Sequence, residues 1–191
     1  MAYRIGVFGG MASGKSTAIS LLQSWGARVY SADKINAELL TRDSYRAALA
    51  EICPACVTSG GVDRAILRAW MLADENNRRA LEALAHPIIR EELLSLTAEG
   101  LSFVEISVYV PDFIPLDEAW VVTCPDEIRI RRIMGRGFEE EQAKKMLLAQ
   151  QKGGVAPPNA IPLDGSGTVE NLAGILYPIW KDRERAHAGE E

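Results

Sequence analysis

The amino-acid sequence predicts an α/β protein in which a parallel sheet of five strands is covered by helices on both faces. Short apolar runs of strand length alternate along the chain with segments whose apolar residues recur every three or four positions. This alternation is typical of strand–helix–strand units, in which consecutive strands run parallel. The 191 residues suffice for one core domain, or for a core domain that carries an inserted subdomain.

Five segments carry the strand pattern. Each is a short, mostly apolar run, and a glycine, a proline or a polar residue follows it within two positions. Their continuous apolar character indicates strands that are buried on both faces of the sheet. The predicted strands are residues 3–8, 27–30, 101–110, 119–123 and 160–163.

The helical period marks the segments between the strands. Residues 63–100 form the longest, and Pro87 is expected to end one helix there and begin another, because proline suits a first turn better than an interior. A last helix starts near Thr168, and Pro178 is expected to bend or end it. The other predicted elements are a helix through Ala18, Leu21, Leu22 and Trp25, a helix through Ile35, Leu39 and Leu40 behind a Ser31 cap, a helix opened by Pro125, Asp126 and Glu127, and a Gly/Pro-rich loop at 153–158.

The composition is that of an ordinary folded protein, with 48% hydrophobic and 25% charged residues. The net charge of −5 argues against general nucleic-acid binding, which depends on surplus Lys and Arg. Every apolar run is far shorter than the roughly 20 residues that a membrane-spanning helix needs. We therefore expect a cytoplasmic protein that binds neither nucleic acid nor membrane, and we expect a monomer.

The three cysteines are Cys53, Cys56 and Cys124, and the first two form a C-P-A-C motif. Such a pair could be a redox centre or half of a zinc site. The sequence has no second C-x-x-C, and its two histidines lack the spacing of metal ligands. Reduced structural thiols are therefore expected.

Residues 9–16 read GGMASGKS and satisfy the pattern G-x-x-x-x-G-K-[ST] between a strand and a helix, which is the context that this phosphate-binding motif requires. Glycines let successive backbone N–H groups point at one centre, next to the positive end of a helix. A turn that only joined a strand to a helix would need neither the lysine nor the serine. We therefore predict ATP and Mg²⁺ as ligands, with Lys15 reaching the β- and γ-phosphates, the Ser16 hydroxyl holding Mg²⁺, and Gly10, Met11, Ala12, Ser13, Gly14, Lys15, Ser16 and Thr17 forming the nucleotide site.

The acceptor of the phosphate must be inferred from other residues. The sequence lacks the N-K-x-D of guanine-selective switch proteins, and its length fits a small kinase. Asp33 follows the second predicted strand, at the edge of the sheet where ligands bind in open α/β folds. Its carboxylate could take a proton from an acceptor hydroxyl, although an acid in the first turn of a helix is also common for structural reasons.

A basic segment after the fourth predicted strand is a candidate for neutralising charge during transfer. Arg136 lies between Gly135 and Gly137, which would give a lid the freedom of a hinge. Arginines near a helix end can equally form a solvated face. The segment contains Arg129, Arg131, Arg132 and Arg136, with Lys144 and Lys145 further on.

Nearly the whole chain resembles the dephospho-coenzyme A kinase family. The resemblance is carried by the tracts IGVFGGMASGKSTAISLLQSWGARVYSADKINAELL, GGVDRAILRAWMLADENNRRALEALAHPIIREEL and AWVVTCPDEIRIRRIMGRGFEEEQAKKMLLAQQ. The glycine-rich turn is generic, whereas its combination with Ala32-Asp33 and His86-Pro87 is specific to this family.

The resemblance implies a P-loop NTPase-type three-layer sandwich with the parallel five-stranded sheet, and a reaction in which ATP phosphorylates the ribose 3′-hydroxyl of dephospho-coenzyme A, the last step of coenzyme A biosynthesis. The implied parts are a nucleotide-binding core at about 1–32, 101–134 and 159–185, a helical acceptor-binding segment at about 33–100 and a lid at about 135–145. The implied roles are Asp33 as base, Lys15 and Ser16 as phosphate and Mg²⁺ groups, Arg136 as lid arginine, and Arg64 and His86 on the acceptor side, where His86 could equally cap a helix before Pro87.

Departures from the family pattern leave alternatives open. Ser31 stands where the family usually has an aspartate, and residues 105–111 keep an acid but lack the usual proline and closing phenylalanine-glutamate. The asparagine-rich turn of the family appears here as Leu163-Asp164-Gly165, and Gly137 replaces the aspartate after the lid arginine. A kinase of another small hydroxyl acceptor, or a nucleotide-binding homologue with little transfer activity, are the alternative readings.

Overall fold

The computed structural model describes residues 1–151 and 156–188, without the side chain of residue 151. The chain forms two compact units. The first, which we call the core unit, comprises Met1–Ser31 and Leu96–Glu191, and the second, which we call the helical unit, comprises Ala32–Ser95. Within the described ranges, none of the helices has the length and apolarity to cross a membrane.

The described elements include a strand at each of the five positions that the sequence predicts, but strands and helices do not alternate strictly. The strands are β1 (Ala2–Gly9), β2 (Val29–Ser31), β3 (Val57–Thr58), β4 (Gly61–Val62), β5 (Gly100–Glu105), β6 (Glu118–Thr123) and β7 (Ile161–Asp164). The helices are α1 (Lys15–Ser24), α2 (Ala32–Leu39), α3 (Asp43–Ile52), α4 (Arg64–Ala73), α5 (Glu75–Leu96), α6 (Asp126–Met134), α7 (Glu140–Gln151) and α8 (Val169–His187), with a 3₁₀ turn at Pro54–Cys56.

The core unit is built on a five-stranded sheet in the order β2-β5-β1-β6-β7, and every pair of neighbours is parallel. β1 lies in the centre, where Val7 pairs with Glu105 of β5 on one side and Trp120 of β6 on the other. Consecutive residues of β1 are buried from Ile5 to Gly9, as expected for a strand covered on both faces. The parallel five-stranded sheet predicted from the sequence is confirmed.

Helices α1 and α8 contribute apolar faces to the main hydrophobic cluster of the core unit. Leu172, Leu176 and Trp180 are buried at intervals of four residues on α8, and Leu22 of α1 is fully buried in the same cluster. Each such side chain contributes about 1.5–3 kcal/mol when it leaves water. Trp120 of β6 is fully buried in this cluster as well. The predicted inward face of the first helix is therefore correct.

A half-buried carboxylate at the start of β6 ties the last helix to the sheet. Glu118 accepts hydrogen bonds from Arg183 Nε at 2.7 Å and Arg183 Nη2 at 3.1 Å, and from Trp120 Nε1 at 2.8 Å. Burial by itself raises the pKa of Glu118, but the hydrogen bonds from Arg183 and Trp120 outweigh it and hold the pKa below its usual value. The carboxylate is therefore charged in the folded protein well into the acid range.

The helical unit contains four helices and a two-stranded hairpin. The hairpin pairs β3 with β4 in antiparallel orientation, so this segment is not entirely helical as the sequence analysis expected. Asp63 caps α4, since its carboxylate accepts hydrogen bonds from the N–H groups of Ala65 and Ile66 at 2.9 and 3.0 Å. Strands of two residues are too short to produce a recognisable alternation in the sequence.

The thiols of Cys53 and Cys56 are free and buried beside the 3₁₀ turn. Cys56 Sγ donates to the carbonyl oxygen of Cys53 at 3.0 Å. Burial is the main reason why the pKa of the Cys56 thiol rises to about 12. These properties are those of the reduced structural thiols that the sequence indicates.

Neither of the two prolines expected to affect helices ends the helix that contains it. α5 continues from Glu75 to Leu96 with Pro87 inside it, and α8 continues to His187 with Pro178 inside it. The break falls instead at Asp74, where the extended backbone separates α4 from α5 and the carboxylate accepts a hydrogen bond from Asn76 N at 2.7 Å. A helix tolerates the lost N–H of one proline when burial of the neighbouring turns holds it in place.

β5 is shorter at its carboxyl end than predicted. It ends at Glu105, five residues before the end of the predicted strand, and its ladders with β2 and β1 end there too, at Ser31 and Val7. The chain then leaves the sheet, and Asp112 adopts a positive φ of 57°. The predicted Gly/Pro-rich loop at 153–158 lies partly outside the described residues.

We expect Glu118→Gln to lower the free energy of unfolding by about 1–3 kcal/mol at neutral pH, because the substitution removes the charge that Arg183 neutralises. The pKa of Glu118 is depressed in the folded state, so this contribution is present above the unfolded pKa of about 4.3 and disappears as the pH falls through the folded value. Urea unfolding at pH 7 and pH 3 measures both effects. Glu184→Gln, at a more exposed carboxylate on α8, is the control, and an equal loss in both variants would contradict the role of Glu118.

Candidate active site

The turn between β1 and α1 forms one wall of a cleft of about 470 Å³ in the core unit. The residues of the turn and the first turn of α1 all line this cleft, from Gly9 to Thr17. The opposite wall comes from the ends of β5, α6 and α7 and from the segment that begins α8. The residues outside the turn are Ser107, Arg132, Arg136, Gln150, Gly165, Gly167, Thr168, Val169 and Leu172.

The backbone of the turn includes two residues with positive φ. Ala12 and Gly14 have φ values of 59° and 109°, and Ser13 N donates to Gly10 O at 3.1 Å. Gly14 is the N-cap of α1 and offers no side chain to the first N–H groups of the helix. N–H groups of this kind, at the positive end of a helix dipole, are suited to bind an anion.

Lys15 is held at the end of β5. Its ammonium lies 3.2 Å from the carboxylate of Glu105 and donates to the hydroxyl of Ser107 at 2.6 Å. The Lys15 side chain is only 10% exposed, so the ion pair is shielded from bulk water. Ser107 lies in the segment 105–111, which lacks the proline usual in the family. Its hydroxyl therefore supplies a partner for the lysine of the turn.

Arg132 fastens the turn to the loop before α8. Its Nη1 donates to the carbonyl oxygens of Ala12 at 3.1 Å and Ser13 at 3.3 Å, while its Nη2 donates to those of Ser166 and Gly167 at 3.2 Å. The planar guanidinium has enough donors to satisfy four acceptors at once. Two loops that line the cleft are thereby joined by one side chain.

Glycine is required where these two loops meet. A Cβ at Gly165 would lie 2.6 Å from a methyl group of Val122 and closer still to the carbonyl oxygen of Ser13. Gly165 N also donates to Thr123 O at 2.8 Å, which fixes the loop against the end of β6. Any side chain at residue 165 would force the turn and the loop apart.

The arginines of the basic segment have different positions. Arg136 is exposed and lines the cleft. Gly137 has φ 94°, which favours glycine, whereas Gly135 has an ordinary helical φ of −62°. Arg131 is exposed, and Arg129 is buried behind the turn with Nε donating to Met11 O at 2.8 Å.

Three of the residues implied by the resemblance belong to the helical unit. Asp33 is exposed in the first turn of α2, and Arg64 is exposed as the first residue of α4. His86 is half-buried in the middle of α5, so the alternative in which it caps a helix before Pro87 is wrong. The structure brings Lys15 and Arg136 together around one cleft, and it places these three residues in the other unit.

Gln150 lines the cleft and was not identified from the sequence as a site residue. Its amide oxygen accepts a hydrogen bond from Met11 N at 2.7 Å and one from Arg129 Nη2 at 3.0 Å. The sequence carries a signal for this position, because Ala143, Leu147 and Gln150 share the spacing of one helix face. The structure buries the first two of these residues. A polar residue that continues an apolar stripe indicates a specific partner.

The fold and the site together define a P-loop nucleotide-binding protein, with the phosphate-binding turn at the end of the central strand of a parallel sheet. A family model for dephospho-CoA kinase matches residues 3–154. The dephospho-CoA kinase of Geobacter sulfurreducens is 33% identical over 94% of this chain and 98% of its own length, and that of Geobacillus kaustophilus is 35% identical over 78% and 81%. The chain belongs to the dephospho-CoA kinase family.

Solved structures agree with this assignment. The crystal structure of TT1252 from Thermus thermophilus has a TM-score of 0.77 and 30% identity, and the match covers 95% of this chain and 97% of that one. The dephospho-CoA kinase from Campylobacter jejuni has a TM-score of 0.71 at 23% identity, covers 97% and 99%, and supports the fold. The resemblance and the fold class given by the sequence are confirmed, and the chain is accordingly a kinase that uses ATP.

We expect Arg132→Ala to lower the free energy of unfolding by about 1.5–3 kcal/mol, since four carbonyl groups lose a charged donor. Arg131→Ala is a matched control, because the neighbouring side chain on α6 is exposed and such substitutions change stability by about 0.5 kcal/mol or less. Thermal and urea unfolding of both variants measure the difference. Equal stability of the two variants would show that Arg132 does not hold the two loops together.

Proposed function

We propose that the protein transfers the γ-phosphoryl group of ATP to the ribose 3′-hydroxyl of dephospho-coenzyme A, with the turn of residues 9–16 holding the triphosphate. The observation that carries this proposal is the cleft in which an uncapped helix N-terminus, a lysine and an exposed arginine meet. A triphosphate needs N–H donors and cations of this kind, and phosphoryl transfer depends mainly on positioning and on electrostatic stabilisation.

Lys15 and Arg136 are proposed to neutralise the phosphates. Lys15 is held 3.2 Å from Glu105, so its ammonium is already in place at the base of the cleft. Arg136 follows α6, next to the positive φ of Gly137, and its exposed guanidinium can turn toward a bound nucleotide. The segment 135–145 is proposed to act as the lid that brings this charge to the γ-phosphate during transfer.

Mg²⁺ fits the donors that the cleft offers. The described residues include no group of three His, Cys, Asp or Glu side chains that could hold a metal. Mg²⁺ prefers a few protein oxygens together with phosphate oxygens and water, so the Ser16 hydroxyl with the nearby Glu105 carboxylate is a suitable set. The ion, when bound with the nucleotide, would neutralise charge that develops between the phosphates. Ser16 and Glu105 are proposed as its protein ligands.

The helical unit is proposed to bind the acceptor. Asp33 would accept the proton of the attacking hydroxyl, and its exposure in the first turn of α2 leaves the carboxylate accessible. Arg64 is an exposed cation at the start of α4, and His86 is half-buried on α5, so both can contact a substrate. The expectations of a monomer and of a cytoplasmic location stay predictions.

Replacement of Lys15 by Ala should reduce kcat/KM by about 100-fold or more, because the cation at the base of the cleft is lost. Initial rates of ADP release with Mg·ATP and dephospho-coenzyme A measure the effect. Lys181→Ala, which removes a lysine of α8 paired with Glu184, is the control. A Lys15→Ala enzyme with the rate of the control would exclude the proposed phosphate role.

Replacement of Asp33 by Asn should lower kcat by about 100-fold or more and change ATP affinity little, because the general base acts only on the acceptor. Asp43→Asn is the matched control, since Asp43 is an exposed acid in the first turn of the next helix. Steady-state kinetics and ATP titration separate kcat from binding. An unchanged kcat in Asp33→Asn would remove the base assignment, and turnover with other hydroxyl acceptors but not with dephospho-coenzyme A would favour a different substrate.

A further inference from the structure

The backbone N–H and the backbone C=O of Met11 are both held by side chains from outside the turn. Met11 N donates to Gln150 Oε1 at 2.7 Å, and Met11 O accepts from Arg129 Nε at 2.8 Å. The two side chains also contact each other, because Arg129 Nη2 donates to the same Gln150 oxygen at 3.0 Å. We call this closed set of hydrogen bonds, formed by Gln150, Arg129 and the peptide groups of Met11, the Met11 clamp.

The chain is shaped to accommodate the clamp. A Cβ on Gly10 would lie 2.5 Å from Arg129 Nη2 and 3.0 Å from Gln150 Oε1. A larger residue at this position would displace the ends of these two side chains from the backbone. The absence of a side chain on Gly10 therefore allows the clamp to adopt this arrangement, separately from any contact of backbone N–H groups with phosphate.

Arg129 is buried, with 8% of its surface exposed, and each of its side-chain nitrogens nevertheless donates a hydrogen bond. Besides Met11 and Gln150, its Nη1 donates to Asp126 Oδ1 at 2.9 Å. A buried guanidinium is costly unless such partners satisfy it, and removal of one partner leaves the others badly paired. The clamp therefore has one favoured arrangement.

The clamp is mounted on a packed helix pair. Gln150 follows Ala143 and Leu147 on the inner face of α7, and these two residues pack with Ile133 of α6. Ala12 of the turn packs against the same small cluster. The conformation of the turn is thus coupled to α6, which precedes the proposed lid, and to α7, whose first residues belong to that lid.

We propose that Gln150 and Arg129 are positioning residues. They hold the backbone N–H and C=O of Met11, so that the turn is shaped for the triphosphate before the nucleotide binds. This inference rests on the proposed function, in which the turn binds ATP. Pre-organisation reduces the ordering that binding would otherwise require, so loss of the clamp weakens ATP binding and leaves the chemical step almost unchanged.

The test compares Gln150→Leu with Gln150→Glu, which keeps an acceptor opposite Arg129. Gln23→Leu, the same chemical change on the exposed face of α1, is the matched control. We expect Gln150→Leu to raise the Kd for ATP in calorimetry about 10-fold and the KM for ATP by a similar factor, with kcat within about 3-fold of wild type. Gln150→Glu should lie closer to wild type than Gln150→Leu does.

Hydrogen exchange of the nucleotide-free protein gives a second readout that does not depend on ATP. The amide of Met11 should exchange about 10-fold faster or more in Gln150→Leu than in Gln23→Leu, because its acceptor is lost. Unchanged exchange and unchanged Kd in Gln150→Leu would overturn the inference, as would a loss confined to kcat.

If the wild-type protein bound no ATP, the proposed function would fail. The exchange rates would still decide whether the clamp shapes the turn. Gln150→Asn, which withdraws the amide by one methylene, replaces Gln150→Leu if the latter melts at a lower temperature than the control.

Discussion

The pairing of β1 with β5 on one side and with β6 on the other is the constraint on which the site depends. Because all three strands run in the same direction, their carboxyl ends meet at one edge of the sheet. This arrangement brings the turn after β1 next to Glu105 at the end of β5. It also brings the turn next to the end of β6, where Val122 limits the space around Gly9 and Gly165. The register of the sheet therefore determines which charges and which glycines surround the cleft.

The positive charge of the site is local, and the net charge of the chain does not reveal it. The chain carries a net charge of −5, yet Lys15, Arg132 and Arg136 line one cleft. Two of these cations already have protein partners: Lys15 is paired with a carboxylate, and Arg132 binds four carbonyl oxygens. Arg136 is exposed on the cleft wall. An acidic protein can in this way bind a polyanion with few cations, because partly buried charges are screened less than surface charges.

Much of the fold follows from patterns that act locally. The turn of residues 9–16, the positions of the five strands in the parallel sheet and the start of α8 near Thr168 each depend on a few neighbouring residues, so the sequence predicts them. The end of β5 and the continuity of α5 through Pro87 depend on partners distant in the chain, and both predictions were wrong at those points. The roles of the arginines required the structure for the same reason. Arg129 and Arg131 have the same side chain two residues apart, and only tertiary contacts make one of them a buried support.

The close approach of Gly165 to Ser13 has a consequence for how this chain can vary. Its immediate neighbours Asp164 and Ser166 are at least partly exposed, and a survey based on solvent exposure would treat the loop as permissive. A single added methyl group at residue 165 would nevertheless press on the main chain of the phosphate-binding turn. Variation at residue 165 is therefore limited by the main chain on the other side of the gap, and no choice of side chain at residue 13 would by itself relieve the contact.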